Sequence, residues 1–355
     1  MLFGYPVTAT EENWLHNCLC EMVIHIHASI EADKEPLPWP DNIPAAHRNR
    51  LRSRTGLRDR LQKYRDAATA KGMTSRDRER VLVCLSQQND IKGLTACVTD
   101  CEYLAALPEA LRGPIEELFG FAFGLLTDFG VRDRQYKIIH DALSHDVCPF
   151  CGCEFLDAPG GPREDLDHFL AKSLYPFASA NLQNLVPMGM KCNERYKHAQ
   201  DILRDDGGVR RRCFYPYEDH HITVSLVKSV PFAGTDDEKP AWQIDFEPES
   251  VECTTWDTVF HVRERFRRDV LDASFSTWMG DFARWFVKRK GNADTSNARI
   301  TESVLEHAED MAIQGLKAKE FLRAYVFEML HEHCQQGNAR LLAFMRDLVA
   351  NAVPQ

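Results

Sequence analysis

Between Cys148 and Lys197 the chain carries three groups of side chains that can do chemistry. The first is Cys148-Pro149-Phe150-Cys151. Two thiols at this spacing, on a tight turn, can hold one tetrahedral zinc, and Gly152 directly after them favours the turn. Cys192 can supply a further sulfur. Gly189, three residues before it, has no side chain where a matching ligand would stand, and Cys153 is the thiol left over nearby. Simple packing of reduced thiols is the other reading of these residues. The second group is Asp165-Leu166-Asp167-His168. In a strand, acids at i and i+2 share one face and the imidazole points to the other. Asp167 and His168 can therefore act together only where the strand ends or distorts, and the preceding "APGGPRED" suits such an irregular approach. The third group is Cys192-Asn193-Glu194-Arg195-Tyr196-Lys197. Asn193 and Lys197, four apart, share a helix face. An asparagine oxygen suits a hard cation such as Mg²⁺, a lysine can hold a phosphate as a point charge, and a thiolate at Cys192 would be favoured near a helix N-terminus.

The elements that must position these groups are mostly helical. Apolar residues at Trp14, Leu15, Cys18, Leu19, Met22, Val23 and Ile26 follow a helical period within Glu11–Glu31. Prolines 36, 38, 40 and 44 interrupt the chain after it. Leu51, Leu57, Leu61 and Tyr64 anchor a second helix, Ser75 is the expected N-cap of a third running through Leu85, and Pro114–Thr127 and Val131–Leu143 read as two more. Residues 148–200 lose the helical period and gain Pro, Gly, Asn and Cys, as in a hairpin-and-helix module. "HITVSLV" (221–227) and "AWQIDFEP" (241–248) then read as two strands, joined by the polar loop around Gly234 to Lys239. From Trp256 onward the chain is helical again, with caps expected near Ser274 and Thr301. The expected architecture is α+β and mainly helical. It has a helical N-terminal domain (1–147), a central module (148–200), and a short β-hairpin region followed by a helical C-terminal domain (201–355).

Bulk properties narrow the function classes. A net charge of −10 argues against nonspecific polyanion binding by the whole surface. The charge is uneven, though: from His47 to Arg80 there are twelve Lys or Arg against four Asp or Glu. This basic segment (47–80) can lie along a nucleic-acid backbone, or it can pair with the acidic remainder. The longest apolar run, Leu118–Leu126, is too short to span a bilayer, so no membrane partner is expected. The early Glu11 and Glu12 and the lack of a basic leader argue against a signal peptide. The expected location is cytoplasmic, where the scattered cysteines stay reduced.

The succession Cys148-x-x-Cys151, Asp165-x-Asp167-His168, Asn184-Leu185-Val186-Pro187 and Cys192-Asn193 with Lys197 resembles an HNH endonuclease. That family folds as a ββα-metal module, so the resemblance implies such a module over residues 148–200. It implies His168 as general base toward the attacking water. Asp167 and Asn193 would be ligands of a catalytic Mg²⁺ or Mn²⁺, with Asp165 as a further ligand or support. Asn184 would orient His168 and fix the loop between the strands, and Lys197 with Arg195 would contact the nucleic-acid backbone. A structural Zn²⁺ at Cys148, Cys151 and Cys192 would be separate from the catalytic ion, and Gly189 is the departure from the family pattern there. "DHFLAKSLYP" followed by "NLVP" is similar to HNH proteins of bacterial phage-defence systems of the Septu type, whose nuclease works beside an ATPase. The implied function is phosphodiester hydrolysis in DNA during anti-phage defence, with a regulatory protein partner such as an ATPase. An HNH-type ribonuclease with a tRNA-like target, and a nonenzymatic zinc-knuckle interaction module, are the rival readings.

Overall fold

The protein is described here by a computed structural model covering residues 1–161, 166–232, 240–291, 294–317 and 319–352. Its described residues are mainly helical, with two small antiparallel sheets of two strands each, an α+β arrangement. None of the described helices is long and apolar enough to cross a membrane. The chain divides into two compact units. An N-terminal unit comprises Gly4–Leu143 and Leu156–Asp219, and a C-terminal unit comprises Met1–Phe3, Ser144–Phe155 and His220–Gln355.

Helices of the N-terminal unit are α1 (Trp14–Glu31), α2 (Arg48–Leu51), α3 (Thr55–Ala68), α4 (Ser75–Asn89), α5 (Ile91–Thr95), α6 (Glu109–Asp128) and α7 (Val131–Ala142). Burying one apolar stripe on each supplies the main driving force. Leu57, Leu61, Tyr64 and Ala68 form the inward face of α3, and Leu111, Ile115, Leu118, Phe119, Ala122 and Leu125 that of α6. Two boundaries differ from the sequence expectation. The cap of α4 is Thr74, one residue before Ser75, because Asp77 reciprocates: Thr74 Oγ1 accepts from the Asp77 N–H while the Asp77 carboxylate accepts from the Thr74 N–H. Helix α6 starts five residues before Pro114, which sits inside it. Pro114 is the sixth residue of the helix, beyond the first turn where proline is best tolerated, so it leaves the Ala110 carbonyl without the usual i→i−4 donor.

Strands β1 (Leu166–His168) and β2 (Leu185–Pro187) pair antiparallel, with Asp167 opposite Val186 and His168 opposite Leu185. Leu166, Phe177, Ala180, Leu182 and Leu185 belong to the same apolar core as α1, α3, α4 and α6. Polar anchors fix the hairpin as well. Gln135 of α7 donates to the carbonyls of Leu182 (2.8 Å) and Leu185 (3.1 Å), Gln88 of α4 accepts from the Phe177 N–H (3.1 Å), and the Tyr5 hydroxyl donates to the Pro187 carbonyl (2.6 Å).

In the C-terminal unit β3 (Thr223–Ser225) pairs with β4 (Asp245–Glu247), shorter than the two expected strands. The residues around Gly234 to Lys239 expected to join them lie outside the described residues, apart from the segment's flanks. Six helices follow: α8 (Val251–Phe260), α9 (Val262–Arg265), α10 (Asp272–Lys290), α11 (Asn297–Ala312), α12 (Phe321–Gln335) and α13 (Ala339–Ala350). Their caps are not Ser274 and Thr301, which lie inside α10 and α11; Ser250 caps α8 and Ser296 caps α11. The Thr301 hydroxyl donates back to the Asn297 carbonyl at 2.9 Å, the usual use of a mid-helix threonine.

His16 and His27 of α1 are buried, and burial lowers both pKa values from 6.5 to about 4; the Arg78 charge adds to the effect at His27. The unfolded chain takes up protons as pH falls through 6.5, and the folded chain does so only near 4. Stability is therefore expected to fall between pH 6.5 and about 4. Melting temperatures across that range check this, and His27→Gln, which can still bond the Tyr64 hydroxyl, should give a shallower slope than the wild type.

Candidate functional site

Asp167 and His168 occupy the last two positions of β1. The strand ends at His168, and the next N–H, of Phe169, donates to the Asn184 carbonyl at 2.8 Å. The ending that joint action of the two side chains requires is therefore present, and both line one cavity of about 520 Å³ in the N-terminal unit. Lys172, Ser173, Asn193, Glu194, Lys197 and His198 line it too. A volume of this size accommodates a nucleotide-sized group.

The imidazole of His168 is 8% exposed, and its ring lies 4.4 Å from the ring of Phe123 in α6. Its Nε2 is 3.0 Å from the Ser179 carbonyl oxygen. A carbonyl only accepts, so Nε2 carries the proton and Nδ1 keeps its lone pair. Burial holds the ring far below its ordinary pKa, at about 3; the Ser179 bond opposes this, and the charges of Lys172, Lys197 and Arg132 add to it. The ring is thus a neutral base of fixed tautomer at physiological pH.

Asn184 is fully buried, and its amide acts on the loop between the strands. Its Oδ1 accepts from the Leu170 N–H (2.7 Å), and its Nδ2 donates to the carbonyls of Leu170 (3.1 Å) and Ala178 (3.2 Å). The His168 ring is held by Ser179, in that same loop, and not by Asn184 directly.

Residues Lys191–Lys197 wind as a π-helix, in which the His198 N–H donates to the Asn193 carbonyl at 2.7 Å. Such widened turns recur at functional sites, and nothing in the local sequence signals this one. It keeps Asn193 and Lys197 on the cavity side. The Lys197 side chain is 1% exposed, and its Nζ pairs with Asp167 Oδ2 at 2.7 Å. Arg195 is exposed and is not among the cavity's lining residues. Asp165 lies outside the described residues. Asp167 and Asn193 both line this cavity. Lys172 and His198 were not singled out from the sequence; Lys172 lies within "DHFLAKSLYP", three residues after Phe169.

In the C-terminal unit the Cys148–Cys151 segment forms the expected tight turn. The Cys151 and Gly152 N–H groups donate to the Cys148 carbonyl (3.2 and 2.7 Å), and Val147 bridges Phe155. Gly152 has φ +60°, and a Cβ there would lie 2.7 Å from Leu2 and Phe321, so the turn requires glycine. Cys148 and Cys151 are fully buried, as is Cys192 in the N-terminal unit, and all three are in the reduced thiol form. Each offers one sulfur of the kind that could hold a metal ion.

The basic segment is largely neutralised. Arg48, Arg54, Arg58, Lys63, Arg65, Arg78 and Arg80 pair with Asp41, Asp128, Asp59, Glu117, Glu35, Glu31 and Glu102. Of the two readings of this segment, pairing with the acidic remainder has the structural support.

The chain matches no protein-family model, no curated protein and no solved structure.

Replacing Lys197 breaks a mostly buried ion pair with Asp167. Lys197→Met is expected to cost about 3 kcal/mol of stability, and adding Asp167→Asn to it should restore most of the loss. Chemical denaturation of the single and double variants measures both.

Proposed function

We propose that the N-terminal unit carries an HNH-type, metal-dependent endonuclease that hydrolyses phosphodiester bonds in DNA. The observation that supports this most is the convergence of Asp167, His168 and Asn193 on one cavity, with His168 neutral and its tautomer set by Ser179. In this reading His168 Nδ1 takes a proton from a water. That oxygen forms the new bond to phosphorus as the bond to the leaving deoxyribose oxygen breaks, and the leaving oxygen takes a proton from solvent water. The Nε2–H to Ser179 bond strengthens as the ring gains charge, steadying it through the step. Asp167 and Asn193 would hold the divalent ion, which when bound supplies charge neutralisation at the phosphate and the leaving oxygen. Asn184 acts as a positioning residue, since it pins the loop that carries Ser179.

The similarity of "DHFLAKSLYP" and "NLVP" to phage-defence nucleases extends the proposal to a cytoplasmic role in anti-phage defence, beside a regulatory partner such as an ATPase. Zinc at Cys148, Cys151 and Cys192 is proposed as a structural ion. It is supported by their thiol chemistry and full burial, and by the resemblance. Elemental analysis of purified protein should find about one zinc per chain.

Full-length protein with Mg²⁺ or Mn²⁺, alone and with host lysate, is expected to cut plasmid DNA and to leave total RNA intact. His168→Ala should lower cutting by about 10²- to 10⁴-fold while retaining the far-UV circular dichroism of the wild type. Cutting of RNA in place of DNA would favour the ribonuclease reading. Equal behaviour of wild type and His168→Ala on every substrate would leave the zinc-knuckle reading in its place.

A further inference from the structure

The resemblance to HNH endonucleases gives the nucleic-acid backbone to Lys197 with Arg195. The Lys197 ammonium is buried against Asp167, and Arg195 is exposed and not among the residues lining the cavity. A phosphate entering the cavity therefore needs a different cation. Lys172 has the required properties. It is exposed, it lines the cavity, and among the described residues no carboxylate lies within ion-pair distance of it. Its Nζ lies 5.8 Å from the centroid of Phe123, the ring that His168 packs against at 4.4 Å, so ammonium and imidazole share one aromatic neighbour.

The backbone that carries Lys172 is fixed although its side chain is not. Leu170 is held at both its N–H and its carbonyl by Asn184, and the N–H groups of Leu174 and Tyr175 both donate to the Ala171 carbonyl at 2.9 Å. Lys172 and Ser173 thus stand on a closed turn at the cavity. A flexible ammonium on a rigid base can move to a backbone phosphate and release counterions as it does so. The Lys197 ammonium, 1% exposed and paired with Asp167, would have to give up that pair and leave its buried position to do the same.

We infer that Lys172 is the residue that receives the scissile phosphate of the nucleic acid, and that Lys197 is a positioning residue that holds Asp167 and does not touch substrate. This rests on the nuclease reading above.

The test uses full-length protein and a short fluorescently labelled DNA duplex in metal-free buffer, with affinity followed by anisotropy over a salt series, beside the plasmid-cutting assay. Lys172→Gln is expected to weaken binding by about three- to tenfold and to lower the slope of log affinity against log salt by about 0.9, with an unchanged melting temperature. Lys172→Arg should restore most of the slope. Lys197→Met is expected to lower the melting temperature and leave the salt slope as in wild type. The inference is overturned if Lys172→Gln keeps the wild-type affinity and slope, or if Lys197→Met lowers the slope as much. Wild type that still cuts DNA in those cases leaves the nuclease reading standing. Wild type that neither binds nor cuts DNA or RNA removes both.

Discussion

The buried ion pair between Lys197 and Asp167 is the constraint around which the candidate site is arranged. An ammonium that is 1% exposed must be paired, because desolvation without a partner costs several kcal/mol. Its partner sits on β1 and the ammonium on the π-helical segment, so the pair ties strand to helix across the cavity. Lys172, Lys197 and Arg132 all lie close enough to lower the His168 pKa by their charge. Burial above all keeps the ring neutral, and these charges add to it.

Around that pair the helical shell supplies rigidity. The hairpin has only three residues in each strand, too little to stand alone in water. It is held because Phe177, Leu182 and Leu185 lie in the core built by α1, α3, α4 and α6, and because Gln88 and Gln135 satisfy backbone groups of the connecting loop. Asn184 completes this from inside the loop with three bonds. A site on so small a sheet gains its precision from the packing behind it, a principle general to preorganised sites.

Much of the layout could be read from residue patterns. The helical faces at Leu57–Tyr64 and Leu15–Ile26 are buried as their period predicts, because a 3.6-residue repeat leaves only one face able to leave water. The hairpin and the paired short strands after it also follow from local composition. The α4 cap fell one residue from its expected place because Thr74 and Ser75 are equally good on type alone, and only Asp77 decides between them. Pro114 misled in a different way: proline favours the first turn of a helix, but here it sits at the sixth residue, inside the helix.

The sequence by itself determined which side chains are available near the site: an aspartate–histidine pair at a strand end, an asparagine and a lysine four residues apart, and a thiol turn closed by glycine. Local periodicity and turn chemistry are encoded within a few residues, so these were open to inspection. Tertiary structure alone decided how those side chains are used. Lys197 became a buried partner of Asp167, the Ser179 carbonyl accepts a hydrogen bond from His168 Nε2–H, the Asn193 segment widened into a π-helix, and Lys172 was left exposed among the residues lining the cavity. Each outcome depends on burial and on partners far away in the chain, such as Phe123 behind His168, and burial is a property of the packed core that no short stretch of sequence contains.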